Sequence, residues 1–301
     1  MELRHSIGLF NAERDTARSI KLYDADESFK VAQELFVKPG IVHAALLKEL
    51  RKPEYKEKLI SINLALVKKI ISGSVSEDTH IIQAINAVEE LDKVCNTLTK
   101  RVREWYGYYY PELEHSLSDN EVFIKRILEK SKDEFMLERN EQVSMGPNIS
   151  QTDLDSILLF ARQIDDLYLE RTKLVTYIDN IMMRYCPNVY TLTGGLIGAK
   201  LLERAKSLKH MAFLPSSTIQ LLGAEKALFR HLRNKKIRPP KHGLILSHPY
   251  LMDARRDAKG TAARLFAAKI SIASRVDYFR GEFIGDKLKE DLDKSLEVLK
   301  K

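Results

Sequence analysis

Glycine and proline are scarce in this 301-residue sequence, at 13 and 9 residues, which disfavours a turn-rich β architecture and leaves room for long helices. Cysteine is scarcer still. Cys95 and Cys186 stand far apart in apolar helical contexts, which excludes a disulfide or zinc framework and gives two reduced core residues of a cytosolic protein. No run of eighteen or more apolar residues occurs, so no helical membrane span is expected. The opening MELRHSIGLFNAERD has no apolar core of a secretory signal. The eight histidines fall into no metal-ligand spacing, His242 and His248 have no carboxylates nearby in the sequence, and no serine sits in a nucleophile elbow. The expectation is a chain with no catalytic residues, no metal site and no cofactor of its own.

Charge is plentiful and unevenly divided. The whole chain carries +7, but Lys200–Arg280 holds 18 Lys and Arg against 5 acids, while Glu112–Asp179 holds 8 against 15. A strongly basic segment therefore follows an acidic one. The basic part points to a polyanion, of which nucleic acid is the commonest. The acidic part makes RNA binding along it unfavourable.

Along the chain, HSIGLF and SIKLY read as short strands and ADESFKVAQELF as a short helix, ended by Pro39-Gly40. IVHAALLKEL and KEKLISINLALVKKII read as helices on either side of Lys52-Pro53. Ala84, Val88, Leu91, Cys95, Leu98, Val102 and Trp105 then form a stripe along one helix face. REWYGYYYPELEH ends that helix at Gly107 and Pro111, and its aromatics suit a packed joint between two units rather than a base-stacking platform.

Two long helices are expected next, separated by MGPNIS at 145–150, with Ser150 and Asp153 as a capping box. The second carries Leu154, Ile157, Ala161, Ile164, Tyr168, Arg171, Val175, Ile178 and Met182 at alternating gaps of three and four, a coiled-coil seam. Ile124, Ile127, Leu128 and Phe135 of the first would face it, in a hairpin of two helices of about 30 residues projecting about 45 Å. Pairing with a second copy of the hairpin is its simplest use. Gly194, Gly195, Gly198 and Lys200 lack phosphate-loop spacing and read as close helix packing.

GAEKALFRHLRNKKIRPPKHG, residues 223–243, gathers seven Lys and Arg and two His against one acid. Within LPSSTIQLLGAEKALFRHLRNKK, the residues Ile219, Leu222, Ala227, Leu228 and Leu232 make an apolar face, while Lys226, Arg230 and Arg233 line a basic one. Lys235, Lys236 and Arg238 extend the charge beyond the helix. Pro239-Pro240 stiffen its exit, so Arg238, Lys241 and His242 are held in place to grip a phosphate backbone at low ordering cost. In DARRDAKGTAARLFAAKISIASRVDYF the small residues permit tight helix contact, and Arg255, Arg256, Lys259 and Arg264 are divided between phosphate contacts and salt bridges within the domain.

REWYGYYYPELEH, the hairpin, GAEKALFRHLR, PPKHGLILSHPYL and ARLFAAKISIASRVDYF, in this order over about residues 80–290, resemble the Nop-domain proteins of box C/D ribonucleoproteins. GAEKALFRHLR with PPKHG is specific to the family, whereas a coiled coil alone is not. The resemblance implies a mainly α fold: a small α/β N-terminal fibrillarin-docking domain over 1–80, a helical stem with a long antiparallel coiled-coil hairpin over 81–190, and a compact helical C-terminal Nop domain over 191–301. It implies a scaffold rather than an enzyme. Such proteins bind a box C/D guide RNA together with a ribosomal-protein-like kink-turn-binding protein, pair as a homodimer through the coiled coil, and hold fibrillarin for RNA-guided ribose 2′-O-methylation. S-adenosylmethionine would sit on fibrillarin, not on this chain.

Carried over residue by residue, the resemblance sets Lys226, Arg230, Arg233, Lys235, Lys236, Arg238, Lys241 and His242 toward RNA. It sets Gly223, Ala224, Glu225, Phe229, Pro239 and Pro240 toward the kink-turn protein. His242 or Lys241 would lie near the RNA, where a spliceosomal relative has a histidine. Two departures stand out: the first forty residues are short for a fibrillarin-binding domain, and the sequence stops at LEVLKK without a Lys- and Glu-rich tail. These lead to the expectation of an archaeal, cytoplasmic protein or a shortened chain, nucleolar if eukaryotic. The alternatives are a spliceosomal-type protein binding a kink-turn RNA without fibrillarin, and a basic helical adaptor for acidic protein partners.

Overall fold

The computed structural model describes residues 2–5, 8–13, 16–22, 53–139 and 143–300. The chain divides into two compact units, Met1–Ser76 and Glu77–Lys301. In the first, β1 (Glu2–His5), β2 (Gly8–Glu13) and β3 (Thr16–Leu22) form an antiparallel sheet in sequential order. Leu3 pairs with Phe10 and Phe10 with Ile20, and the β2–β3 register slips between Asn11 and Ala12. HSIGLF is therefore not one strand: His5 ends β1 and Gly8 opens β2. SIKLY falls largely within β3. The unit also holds helix α1 (Pro53–Ser74), which takes in KEKLISINLALVKKII. The expected helix ADESFKVAQELF, the break at Pro39-Gly40 and the segment IVHAALLKEL lie outside the described residues.

The second unit is helical among its described residues. Helix α2 (Glu77–Tyr109) runs straight through Gly107 and stops at Tyr110, because Pro111 takes the first position of α3 (Pro111–Ser116). Gly107 therefore does not interrupt it. The α2 stripe also drifts. Ala84, Val88, Cys95 and Val102 are buried, but Trp105 is exposed, and Thr99 and Tyr106 take the inner positions. A 3.5-residue repeat rotates around a straight 3.6-residue helix, and by the last turn the inner position has moved by one residue.

A larger correction concerns 112–144. This stretch is not one long helix. It folds as α3, α4 (Asn120–Glu129) and α5 (Lys132–Arg139). Each break has a local cause. Asp119 caps α4, its carboxylate accepting from the Val122 N–H at 2.9 Å. Ser131 and Glu134 form a reciprocal capping box on α5, with Ser131 N–H donating to Glu134 at 2.7 Å. The hairpin is closed instead by α2 and α6 (Gln151–Tyr185), whose N-terminus is capped by Ser150 accepting from Asp153 N–H. The two helices are antiparallel: Glu77 pairs with Arg184 at one end, and Asp92 with Arg171 midway. At 35 residues, α6 is about 52 Å long.

The seam of α6 faces α2. Ile157, Ala161, Ile164, Tyr168, Ile178 and Met182 are buried, with Leu154 and Val175 partly so. Arg171, the one non-apolar seam residue, bonds Asp92 on α2. Toward the far end the seam joins Tyr106, Tyr110, Phe123, Ile124, Ile127 and Phe135 in one core, so Tyr106 and Tyr110 of the aromatic run are packed, whereas Trp105 and Tyr108 are exposed. Each fully buried apolar side chain there contributes about 1.5–3 kcal/mol.

Beyond the hairpin, α7 (Pro187–Ala205), α8 (Leu208–Phe213), α9 (Ser216–Leu221), α10 (Glu225–Arg233), α11 (Pro249–Met252), α12 (Lys259–Tyr278) and α13 (Gly285–Lys300) make the C-terminal body. Gly195 and Gly198 lie where an added Cβ would overlap Asp179 and Met182 of α6, so these glycines permit close helix packing. Ala262, Ala263, Ala267 and Ala273 of α12 are buried and let α7, α8 and α9 approach it. That helix starts at Lys259, after DARRDA. Its Asp277 accepts from the Asn188 and Val189 N–H groups at 3.2 and 2.9 Å, capping α7 from outside. Cys95 and Cys186 are free and buried. Among the described residues no helix is long and apolar enough to cross a membrane.

Candidate nucleic-acid interface

Residues 223–243 leave the body as an excursion pinned at its base. Gly223 turns the chain out of α9 with φ +85°, a left-handed conformation that a side chain would strain. An added Cβ there would also meet Leu244 at 2.5 Å. Glu225 closes the turn by accepting the Gly223 N–H at 2.7 Å, and Ala224 N–H donates to Leu221 at 2.8 Å. The segment LPSSTIQLLGAEKALFRHLRNKK therefore forms two helices, not one, with the α9–α10 break at Leu222–Ala224. At the return, Gly243 N–H donates to Gln220 O at 2.9 Å and Leu244 N–H to Leu222 O at 2.7 Å. The Gln220 side chain donates to Lys241 O at 2.6 Å. Gly243 approaches so closely that a Cβ would overlap the Leu222 carbonyl.

Between these anchors α10 buries no residue. Lys226, Arg230 and Arg233 stand exposed along it, as do Phe229 (60%) and Leu232 (52%). Leu232, expected on the apolar face, is open to solvent because α10 buries none of its residues. Its last turn is folded back on itself. His231 Nδ1–H donates to Ile237 O, and Asn234 accepts from the Lys236 N–H at 3.1 Å. Lys235, Lys236 and Arg238 are exposed on this turn, Pro239 is exposed, and Pro240 is half-buried. Among the described residues, none of the seven Lys and Arg of 223–243 forms an ion pair. Arg230, His231 and Arg233 at the α10 C-terminus complement its dipole.

Lys241 and His242 continue into a second group. With Leu246, Arg256 and Lys259 they line an open cleft of about 480 Å³. Partial burial, then the charges of Lys259 and Lys241, hold the His242 imidazole below its ordinary pKa. An anion placed there would relieve this repulsion. The α10 cations do not line the cleft, so the structure separates Lys226, Arg230 and Arg233 from Lys241 and His242. Of the cations just before and at the start of α12, Arg255 bonds Asp257 at 2.8 Å, while Arg256 and Lys259 line the cleft. Nothing in the sequence separates these pairs, because only the path of 253–258 does so.

His248 has another fate. Its ring packs 4.6 Å from Phe266 and 4.8 Å from Tyr250, and burial lowers its pKa to about 4. It is a neutral, half-buried ring packed on the core. Among the described residues no group of three His, Cys, Asp or Glu side chains could hold a metal ion.

Residues 87–298 match the model of the Nop family, described as "snoRNA binding domain, fibrillarin". A NOP5 family protein of Methanocaldococcus jannaschii is 38% identical over 82% of this chain and 64% of its own length. Nucleolar protein 56 of Saccharomyces cerevisiae is 34% identical over 90% of this chain and 58% of its own. The chain thus spans less than two thirds of either relative. A crystal structure of a fibrillarin/Nop5p complex contains a chain that aligns with 99% of this one at 23% identity and a TM-score of 0.49, a distant likeness. With the family model covering most of the sequence and the excursion carrying GAEKALFRHLR and PPKHG, the chain belongs to the Nop family.

Proposed function

We propose that the chain is a non-catalytic scaffold of a box C/D guide ribonucleoprotein. In this reading it binds the guide RNA together with a kink-turn-binding protein and holds fibrillarin for ribose 2′-O-methylation. S-adenosylmethionine then belongs to fibrillarin, and this chain needs no cofactor. The observation that carries the proposal is the 223–243 excursion: exposed, unpaired cations and exposed apolar residues share one short helix on a pinned base. Cations grip phosphates without reading sequence, while Phe229 and Leu232 suit a protein surface. A kink-turn RNA with its bound protein offers both at once, and neither alone is complementary to the whole helix.

The same proposal gives residues 1–80 to fibrillarin, 81–190 to the stem and dimerisation arm, and 191–301 to the RNA–protein complex. A homodimer would use the outward face of the hairpin, where Val94, Leu159, Leu169 and Tyr177 are exposed, since the seam itself is spent closing α2 on α6. The location would be the cytoplasm of an archaeon, or the nucleolus of a eukaryote. The test is binding to a box C/D kink-turn RNA with and without the kink-turn protein. The expected outcome is weak binding to RNA alone, tight binding to the complex, and a loss of about tenfold or more for Arg230→Ala with Lys241→Ala. Wild-type protein that ignores the RNA–protein complex at moderate salt overturns the proposal.

A further inference from the structure

At the C-terminal end of α12, away from the cleft, the body exposes an aromatic group that packing leaves unfinished. Phe213, the last residue of α8, is 63% exposed, and Phe279, just past α12, is 66% exposed. Their ring centroids lie 6.2 Å apart, edge to face, with Tyr278 at 5.9 and 5.0 Å from them. The backbone fixes both. Leu214 N–H donates to His210 and Met211 to end α8, while Gly281 N–H reaches back to Val276 O and holds Arg280 at φ +53°. Each phenyl ring thus projects from a closed helix end rather than a free loop.

The surroundings are cationic. Lys209 precedes Phe213 by one helical turn and lies on its face. Arg275 is exposed, and its Nε–H donates to Ala212 O at 3.1 Å, next to Phe213. Arg280 follows Phe279 directly and is exposed, against one acid in the adjoining turn, Glu282. Asp277 is turned inward onto α7. Exposed rings flanked by guanidinium and ammonium groups match the faces and phosphates of unpaired bases, because every base presents a π-face and every linkage a negative charge.

We propose that Phe213 and Phe279, with Lys209, Arg275 and Arg280, form a stacking platform for a single-stranded RNA segment. The proposal rests on the reading of this chain as an RNA-binding protein. Along α12, the platform lies about 28 Å from Lys259 in the cleft, taking 1.5 Å per residue. At about 3.4 Å per nucleotide of a stacked strand, about eight nucleotides bridge the two places. The strand is therefore one that leaves the RNA held at the excursion and runs to the far end of α12.

The experiment uses the full chain with the kink-turn protein and three RNAs: a box C/D kink-turn alone, and the same RNA with a four- or a twelve-nucleotide single-stranded uridine extension. Wild type is expected to gain about tenfold in affinity from the twelve-nucleotide extension and little from the four-nucleotide one. Phe213→Leu with Phe279→Leu keeps an apolar surface but removes the rings, and is expected to abolish the gain while leaving binding to the unextended RNA unchanged. Phe213→Tyr with Phe279→Tyr is expected to keep it. Cross-linking of a 5-iodouridine extension to Phe213 or Phe279 adds direct support. Undiminished gain in the leucine variant overturns the platform but leaves the scaffold reading intact. So does a change of oligomeric state in that variant without a change in RNA binding, which marks a protein-docking patch. Failure of wild type to bind any of the three RNAs overturns both.

Discussion

The hairpin and the 223–243 excursion are both rich in charge, but they use it in opposite ways. In the hairpin the central charged groups are occupied by their own chain. Arg103 donates to Asn120 Oδ1, Glu114 O and Asp119 O at 2.9–3.1 Å. Lys132 is buried, donating to Tyr109 O and Gly146 O at 3.0 and 2.8 Å beneath the Tyr109 ring. Arg171 bonds Asp92, and Glu112 accepts from Ser144 and Met145. In the excursion the Lys and Arg side chains have no such partners among the described residues, while the backbone beneath them is pinned at both ends by hydrogen bonds. Charge satisfied within the chain builds structure. Charge held rigidly and left unsatisfied is available to a ligand.

The sharpest way to break this comparison is to remove a satisfied cation. Lys132→Met keeps much of the side-chain volume but leaves two part-buried carbonyls without their donor. It is expected to cost about 3 kcal/mol of stability, read as a lower thermal or urea midpoint with RNA binding per folded molecule unchanged. A neutral result would mean that internal pairing in the hairpin is incidental. The next effect runs the other way. Lys226→Ala with Arg233→Ala should change stability by no more than about 0.5 kcal/mol. It should weaken binding to the RNA–protein complex about tenfold and lower the slope of log K against log salt by about 1–2.

How far the sequence carried this contrast can be seen in particular residues. The α6 seam was legible because its period is unbroken over nine positions, and Ser150 announced its start. The partner of that seam is α2 and not 112–144, and signals of this stand in the sequence. The 33-residue α2 matches α6 in length, whereas 112–144 follows Pro111 directly and carries two capping signals, Asp119 before Asn120 and Ser131 before Glu134. The cations of the excursion were equally legible, since composition alone displays them. Their anchorage was not. The bonds from Gln220 to Lys241 and Gly243 join residues more than twenty apart, and no local pattern encodes them. The same holds for the cleft, where Arg256 and Lys259 meet His242 while Arg255 turns to Asp257.

The two histidines near the cleft sharpen the comparison by pH. His248 is half-buried and held at about pKa 4, below the ordinary value of about 6.5. The folded state thus prefers the neutral ring. The stability this confers is complete above pH about 6.5 and is lost as pH falls from there toward about 4. Allowing for solvent screening at a half-buried site, the loss is about 1 kcal/mol. A urea titration at pH 7 and pH 4.5 measures it, and His248→Gln should flatten the difference. His242, whose pKa is also lowered, should instead show itself in binding. A phosphate beside it favours the protonated ring, so affinity for the RNA–protein complex rises as pH falls below neutrality, and His242→Gln loses that rise.

The smallest effect is expected where the hairpin comes nearest to the excursion in character, at the Arg171–Asp92 pair. Both side chains are partly exposed, at 31% and 40%, so water competes for each of them. The apolar seam continues on either side. A double-mutant cycle with Arg171→Ala and Asp92→Ala should give a coupling of about 0.5 kcal/mol, far below the cost of Lys132→Met. The difference would come chiefly from burial, since both cations are bonded to their own chain but only Lys132 is buried. If the coupling instead reached about 3 kcal/mol, pairing rather than desolvation would set the value of a charge in this hairpin. The unpaired cations of 223–243 would then have to be explained as a stability cost carried for binding, not as a neutral surface feature.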